Sequence, residues 1–307
     1  MIACRSTVSV GLVLVALTAC APSADDDQAP NALGDDAITV GSFNFPESVL
    51  LAELYSQALE AGAFTVDRAF DIGPREFVGP ALDAGLIELV PEYAGTALAF
   101  RSLGSDRPSA DLRATHRDLA RALSGSEVTA LDSAPAQDAN AFVVSHDTAN
   151  RYHLQRLSDL ADVAGSLSFG GPPECPSRPL CLKGLQERYG VHFDDVVALD
   201  AGGPLTHQTI RNGGVDVALM FTTDPNLDDY VVLADDKRLQ PAENVTPLIR
   251  RDVVDQFGRD VVAVIDAVSR QLDTDTLREL NATDAEQPGS DDVASIAAAW
   301  LRARGGS

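Results

Sequence analysis

The sequence predicts an α/β protein made of two units with a cleft between them. Three observations carry this. Short apolar runs alternate with helical patterns from residue 38 onward, as in parallel or mixed sheets covered by helices. The alternation starts afresh near Asn140. The chain is 307 residues long with 45% hydrophobic and 22% charged residues, enough for one large or two ordinary domains.

The first series opens with ITVGS as a buried strand. PESVLLAELYSQALEAG follows, a helix with Leu50, Leu51, Leu54, Tyr55, Ala58 and Leu59 on one face and Gly62 as its stop. FTVDRAFDI alternates like a strand, REFVGPALDAG reads as helical despite Pro80, and GLIELVPEYAG holds a short strand before the helix DLRATHRDLARALSG. In the second series ANAFVVS, SLSFGG, VVALD, VDVALMFTTD and a short VVLADD read as strands. LSDLADVAG, LKGLQERYG and PLTHQTIRNGG read as the helices among them. VTPLIRRDVV returns to a strand-helix pattern, and three helices finish the chain. The last has Asp291 and Asp292 at its start and Arg302 and Arg304 at its end, matching the helix dipole.

In open α/β sheets, ligands sit beyond the carboxyl ends of strands, near helix N-termini. The stretch GSFNFPES, residues 41–48, lies at such a junction and carries Phe43, Asn44 and Phe45 ahead of Pro46, a residue suited to a first helical turn. A cleft-facing role and a capped helix with aromatics buried as a staple are the two readings. The glycine-rich DAGGPLT, residues 200–206, either receives an anion or is a tight strand-to-helix turn.

The net charge of −23, from 23 Lys plus Arg against 46 Asp plus Glu, disfavours nucleic acid and anionic headgroups as partners. His116, His146, His153, His192 and His207 show no metal-ligand spacing. HExxH, GxSxG and GxxxxGK[ST] are absent from the sequence. The pattern favours binding over catalysis, with no cofactor or metal expected.

At the N-terminus, Arg5 precedes an apolar run from Val8 to Ala19, too short to span a bilayer but suited to a signal-peptide core. It closes on Leu17-Thr18-Ala19-Cys20, which resembles the bacterial lipobox, in which the cysteine is lipidated; an ordinary signal peptide with an incidental cysteine is the alternative. Residues 1–19 are thus expected to be a signal peptide and residues 20–37, rich in Pro, Ala and Asp, a flexible tether. The expected location is the outer face of the bacterial cytoplasmic membrane, held through the lipid alone. Cys4 leaves with the signal. Cys175 and Cys181, in GPPECPSRPLCLKG, read as a local disulfide in an oxidising compartment, with two free thiols as the alternative.

Several motifs in order carry a family resemblance: GSFNFPES, GLIELVPEYAGT at 85–96, PPECPSRP at 172–179, and ALMFTTDPNL with VVLADDKRLQPAENVTPLIR at 218–250. From about residue 38 to its end, the chain resembles substrate-binding lipoproteins that serve ABC importers of glycine betaine, carnitine, choline and proline. The resemblance implies a two-lobed periplasmic-binding-protein fold, type II-like, with two crossovers between lobes and the ligand in the cleft. Lobe one would be residues 38–138 plus 245–307 and lobe two residues 139–244. It also implies a monomer that captures a small-molecule solute by hinge closure and delivers it to a permease driven by a cytosolic ATPase.

Members of that family hold a trimethylammonium group among aromatic faces, because it has no N–H to donate and ring faces replace water. By resemblance, Tyr93 is one wall with Thr96 beside it, and Phe221 a second with Thr222 beside it. Arg178 meets a ligand carboxylate or bridges the closed lobes. The chain departs from the pattern where it has Asp138-Ala139-Asn140 and Glu243-Asn244 in place of aromatics, and Phe43 where some relatives are basic. Asn44, Asn140, Glu243 and Asn244 are therefore expected to make polar walls, with Phe43 as a replacement face and Glu243 balancing a cation. Another zwitterion, a sugar-like solute or a flat aromatic compound is the alternative ligand. A solute sensor is the alternative role, and an exported enzyme on the same scaffold a further one.

Overall fold

A computed structural model of the chain describes residues 37–106, 108–286 and 290–305. The expected signal peptide, the expected lipidation site at Cys20 and the expected tether lie outside these residues, except that Ala37, the last residue assigned to the tether, already belongs to the first strand.

The first sheet is built from β1 (Ala37–Gly41), β2 (Thr65–Ala69), β3 (Leu89–Tyr93) and β4 (Val128–Ala130). Helices α1 (Pro46–Ala61), α2 (Arg75–Asp83), α3 (Ala94–Arg101) and α4 (Leu112–Ala122) connect them. The second sheet holds β5 (Asn140–Val144), β6 (Ser168–Gly171), β7 (Asp195–Ala198), β8 (Val217–Phe221) and β9 (Val231–Val232), joined by α5 (His146–Tyr152), α6 (Leu182–Tyr189) and α7 (Pro204–Arg211). The chain then returns to the first sheet as β10 (Val245–Arg250) and ends with α8 (Arg251–Ser269), α9 (Thr274–Glu286) and α10 (Ser290–Ala303).

Both sheets have five strands and the same plan. Their orders are β2-β1-β3-β10-β4 and β7-β6-β8-β5-β9. In each, the strand that arrives from the other sheet sits fourth and runs antiparallel to its neighbours.

Burial follows from strand periodicity. In β5, Phe142 and Val144 face one core with Phe169, Leu185 and Leu219, whereas Ala141 and Val143 face another with Ile210, Ala218 and Met220. The first sheet's core forms around α1, whose Leu50, Leu51, Leu54, Tyr55 and Leu59 are all buried. A Cβ at Gly41 would lie 2.5 Å from Ile87 Cδ1, so a larger residue where β1 runs into the loop before α1 would force the Ile87 side chain to shift.

The two crossovers lie side by side. Asp138 N donates to Glu243 O at 2.9 Å, Val245 N to Ala136 O at 3.1 Å and Ala134 N to Val245 O at 2.8 Å. Gln137 stands opposite Asn244 in an antiparallel bridge. This short ribbon is the paired connection between the two sheets. A disulfide joins Cys175 to Cys181, with Cα atoms 5.3 Å apart.

Three elements escape the sequence pattern. Helix α3 follows β3 with no intervening loop, and Tyr93 serves as its N-cap without a side-chain hydrogen bond, so neither a turn nor a polar cap marks its start. Strand β4 and helix α5 are too short for a periodic signal. The helix expected over LSDLADVAG is instead two 3-10 turns, Leu157–Leu160 and Ala164–Ser166. Asp159 tightens the first by accepting from Gln155 N and Arg156 N at 3.0 and 2.9 Å.

Candidate functional site

The carboxyl ends of β1, β3, β6 and β8 and the starts of β5 and β10 meet at one edge of the two sheets. A cavity of about 310 Å³ lies there. Phe43, Asn44, Tyr93 and Thr96 line it from the first half, Asn140, Arg178 and Phe221 from the second, and Glu243 from the returning crossover. Eight of the ten sequence-selected residues thus share one space.

Thr222 and Asn244 do not line it. Thr222 Oγ1 accepts from Ala139 N at 2.9 Å and donates to Asp138 Oδ1 at 3.3 Å. Asn244 is buried in the ribbon, its amide donating to Ala134 O at 2.8 Å and Pro135 O at 3.2 Å. Both side chains bond to the crossover segments and not to the cavity, a correction with a simple cause: next to a residue that faces the cavity, an extended chain turns its neighbour away.

Phe45, which the sequence places only at the cap of α1, is the centre of the aromatic cluster. Its ring centroid lies 5.8 Å from Phe43, 6.1 Å from Tyr93 and 5.6 Å from Phe221. Phe43 is a poor replacement face: it is 2% exposed, stacked on Phe45, and Arg75 Cζ stands 4.8 Å from its ring centroid. The signal in the sequence was the doubled aromatic in GSFNFPES; which ring faced outward depended on packing.

Buried charge surrounds this cluster. Arg75 and Glu92 form a fork-to-fork pair, Nε to Oε1 and Nη2 to Oε2 both at 2.8 Å, and Glu92 also accepts from Tyr93 N at 3.0 Å. Tyr93 OH donates to Glu47 Oε1 at 2.6 Å. The other Glu47 oxygen accepts from Asn281 Nδ2 of α9 at 2.6 Å and from Thr223 Oγ1 across the cleft. Burial raises the Glu47 carboxyl above its ordinary range, against its hydrogen bonds from Thr223 and Tyr93. Asp138, beside it, is pushed well up by burial and by the charge of Glu47. Burial also raises the Tyr93 phenol, with Glu47 adding to the effect.

Glu243 is 2% exposed and accepts from Thr96 N at 3.0 Å and Thr96 Oγ1 at 2.5 Å. Burial lifts it to about 7, although the Thr96 hydrogen bonds and Arg75 pull the other way. Asn140 Nδ2 is spent on Leu180 O at 3.0 Å and Gln240 Oε1 at 3.2 Å. Arg178 spans the cleft, Nη2 lying 2.8 Å from Glu76 Oε2 of α2 and 3.2 Å from Glu174 Oε1. Of its two expected roles, bridging the halves is the one the geometry displays.

The glycine-rich turn at 200–206 is closed by its own anion. Asp200 accepts from Leu205 N at 3.0 Å and Thr206 N at 2.8 Å, satisfying the N-terminus of α7. Among the described residues, no group of three or more His, Cys, Asp or Glu is arranged to hold a metal ion, and no helix is long and apolar enough to cross a membrane.

Two lobes of one topology, joined by a paired crossover ribbon over a lined cleft, define the two-lobed periplasmic-binding-protein fold. Residues 36–303 match the substrate binding domain of ABC-type glycine betaine transport systems. A glycine-betaine-binding protein of Pseudomonas aeruginosa is 27% identical over 274 residues, covering 85% of this chain and 86% of its own. An ergothioneine transport permease/ergothioneine binding protein of Helicobacter pylori is 24% identical over 254 residues, 82% of this chain but 45% of that protein. Among solved structures, one of a glycine betaine/carnitine/choline ABC transporter superposes with a TM-score of 0.66 at 21% identity, covering 88% of this chain and 99% of the other. The chain therefore belongs to the family of substrate-binding domains of ABC-type glycine betaine transport systems. Its role is solute capture for a permease.

Proposed function

We propose that this chain captures glycine betaine or a related quaternary amine in the cavity between Tyr93 and Phe221. The observation that carries the reading is the cluster of Phe45, Tyr93 and Phe221 rings around a space that also holds a buried carboxyl, Glu243. A methylated ammonium is held by ring faces and a nearby negative charge, at about 0.5–2 kcal/mol per ring. Residues 38–138 with 245–307 act as one lobe and 139–244 as the other. A ligand that touches both stabilises the closed arrangement by its differential affinity for it.

The captured solute passes to a membrane permease powered by a cytosolic ATPase, from an extracytoplasmic monomer anchored through Cys20. Thermal-shift measurements on the purified protein test this, with glycine betaine, choline, carnitine, proline, ectoine, ergothioneine and sugars at fixed salt. A ligand at 100 times its dissociation constant adds about 2.7 kcal/mol to the folded state, a shift of a few degrees. A shift with quaternary amines alone is expected. A shift with sugars alone would overturn the cation reading.

A further inference from the structure

The charges lining the cavity do not balance evenly. Arg75 is engaged by Glu92 through two hydrogen bonds of 2.8 Å. Arg178 is engaged by Glu76 and Glu174. Lys183, the remaining cation on the wall, is exposed. Two buried carboxyl groups, Glu243 and Asp138, face the same space; their hydrogen bonds come from neutral donors of Thr96, Thr222 and Thr223, and the cation that acts on Glu243, Arg75, is already paired with Glu92.

A cation entering this cavity finds a negative partner. A betaine brings its own carboxylate, which adds a like charge and meets two arginines already committed. On the reading that the cavity takes a quaternary amine, we infer that Glu243 is the ligand's counter-charge, so that the site selects organic cations lacking a carboxylate over betaines.

Glu243 is suited to this because Thr96 holds both of its oxygens, fixing the carboxylate on the wall of the cleft beside the aromatic cluster. The charged groups around it are Arg75 from α2, Glu92 from β3 and, from the paired crossover, Asp138. Across the cavity stand Arg178 and Lys183. Asp138 shares its environment with Glu47, and burial keeps both above the ordinary carboxyl range. Glu243 titrates near 7. Below that pH it must give up its proton to serve a cation, so capture of a cation releases a proton and weakens as pH falls. Above it the carboxylate is already charged and affinity levels off. Linkage then makes a cation bind about tenfold more weakly at pH 6 than at pH 8.

Isothermal titration of the purified protein with choline and with glycine betaine, from pH 5.5 to 8.5, tests this. Choline is expected to bind more tightly than glycine betaine at pH 8 and to lose about tenfold at pH 6. Repeating the wild-type titration at pH 6 in two buffers of different ionisation enthalpy counts the proton directly, close to one per choline bound, without any mutation. Glu243→Gln should weaken choline binding and flatten its pH profile. A choline pH profile that survives Glu243→Gln would overturn the assignment to Glu243. Glycine betaine binding as tightly as choline at pH 8 would overturn the selectivity while leaving the quaternary-amine reading intact. Failure of both ligands to bind would remove that reading and this one with it.

Discussion

On the lobe-one side of the cavity, the side chains of Arg75 and Glu92 are 8% and 5% exposed, and Tyr93 is tied by its hydroxyl to the buried Glu47. On the lobe-two side, Arg178 is 26% exposed and its partner across the cleft, Glu76, 43%. The same pairing of Arg with Glu thus appears twice at one site, once inside the protein and once at its rim. The inner pair touches both aromatic residues, with Arg75 over the Phe43 ring and Glu92 accepting from Tyr93 N. The outer pair spans the cleft between the two sheets, and on the proposed hinge closure it must break when a ligand enters. A buried charge pair is costly to break because the surviving charge is stranded, whereas an exposed pair is screened and cheap to open. A cleft needs one wall of each kind.

The largest expected effect breaks the inner wall. Arg75→Ala leaves Glu92 buried without its fork and should cost about 3–5 kcal/mol of folding stability, measured by urea denaturation. Replacing Arg75 and Glu92 together by Met and Leu should recover most of that loss. If the single variant lost under about 1 kcal/mol, the inner pair would be no different in kind from the outer one.

Much of this site was legible before its geometry. The family resemblance marks Tyr93, Thr96, Phe221 and Arg178; Tyr93 and Phe221 are the last residues of β3 and β8 and Thr96 lies in the first turn of α3, where an α/β sheet gathers its cleft. Glu47 and Arg75 were not legible, and the doubled aromatic of GSFNFPES did not say which of Phe43 and Phe45 would centre the cluster. Glu47 meets Thr223 and Asn281, which are 176 and 234 residues away in the chain, and no periodicity connects them. Arg75 and Glu92 read as ordinary first-turn and strand residues until α2 is laid against β3. Asn244 and Thr222 show the converse error. They neighbour cavity-lining residues in sequence, and the alternation of an extended chain points them toward the crossover segments.

A middle-sized effect sharpens the inner wall further. Tyr93→Phe keeps the ring and deletes the hydroxyl that donates to Glu47. Glu47 retains Asn281 and Thr223, so the loss should be about 1–2 kcal/mol of stability. Because a ring face and not the phenol holds a methylated cation, the thermal shift given by choline should survive nearly unchanged. A choline shift abolished in a variant that still folds would move Tyr93 from a wall to a hydrogen-bonding partner of the ligand.

The smallest effect on folding belongs to the outer pair, and it is the most informative about function. Glu76→Gln removes the charge that Arg178 reaches across the cleft, and the stability change should stay below about 1 kcal/mol. Each partner remains anchored in its own lobe, so little of either lobe depends on the contact. The distance between lobes does depend on it. Half a kilocalorie changes the ratio of closed to open forms by about twofold, and salt should do the same to the wild type, because charges this exposed are screened over about 8–10 Å at ordinary ionic strength. Small-angle scattering of the ligand-free protein in low and high salt reads that ratio. The wild type should open with salt and Glu76→Gln should be open already and insensitive. If both respond to salt alike, the Arg178–Glu76 pair does not set the closed fraction, and the contrast between the two walls disappears.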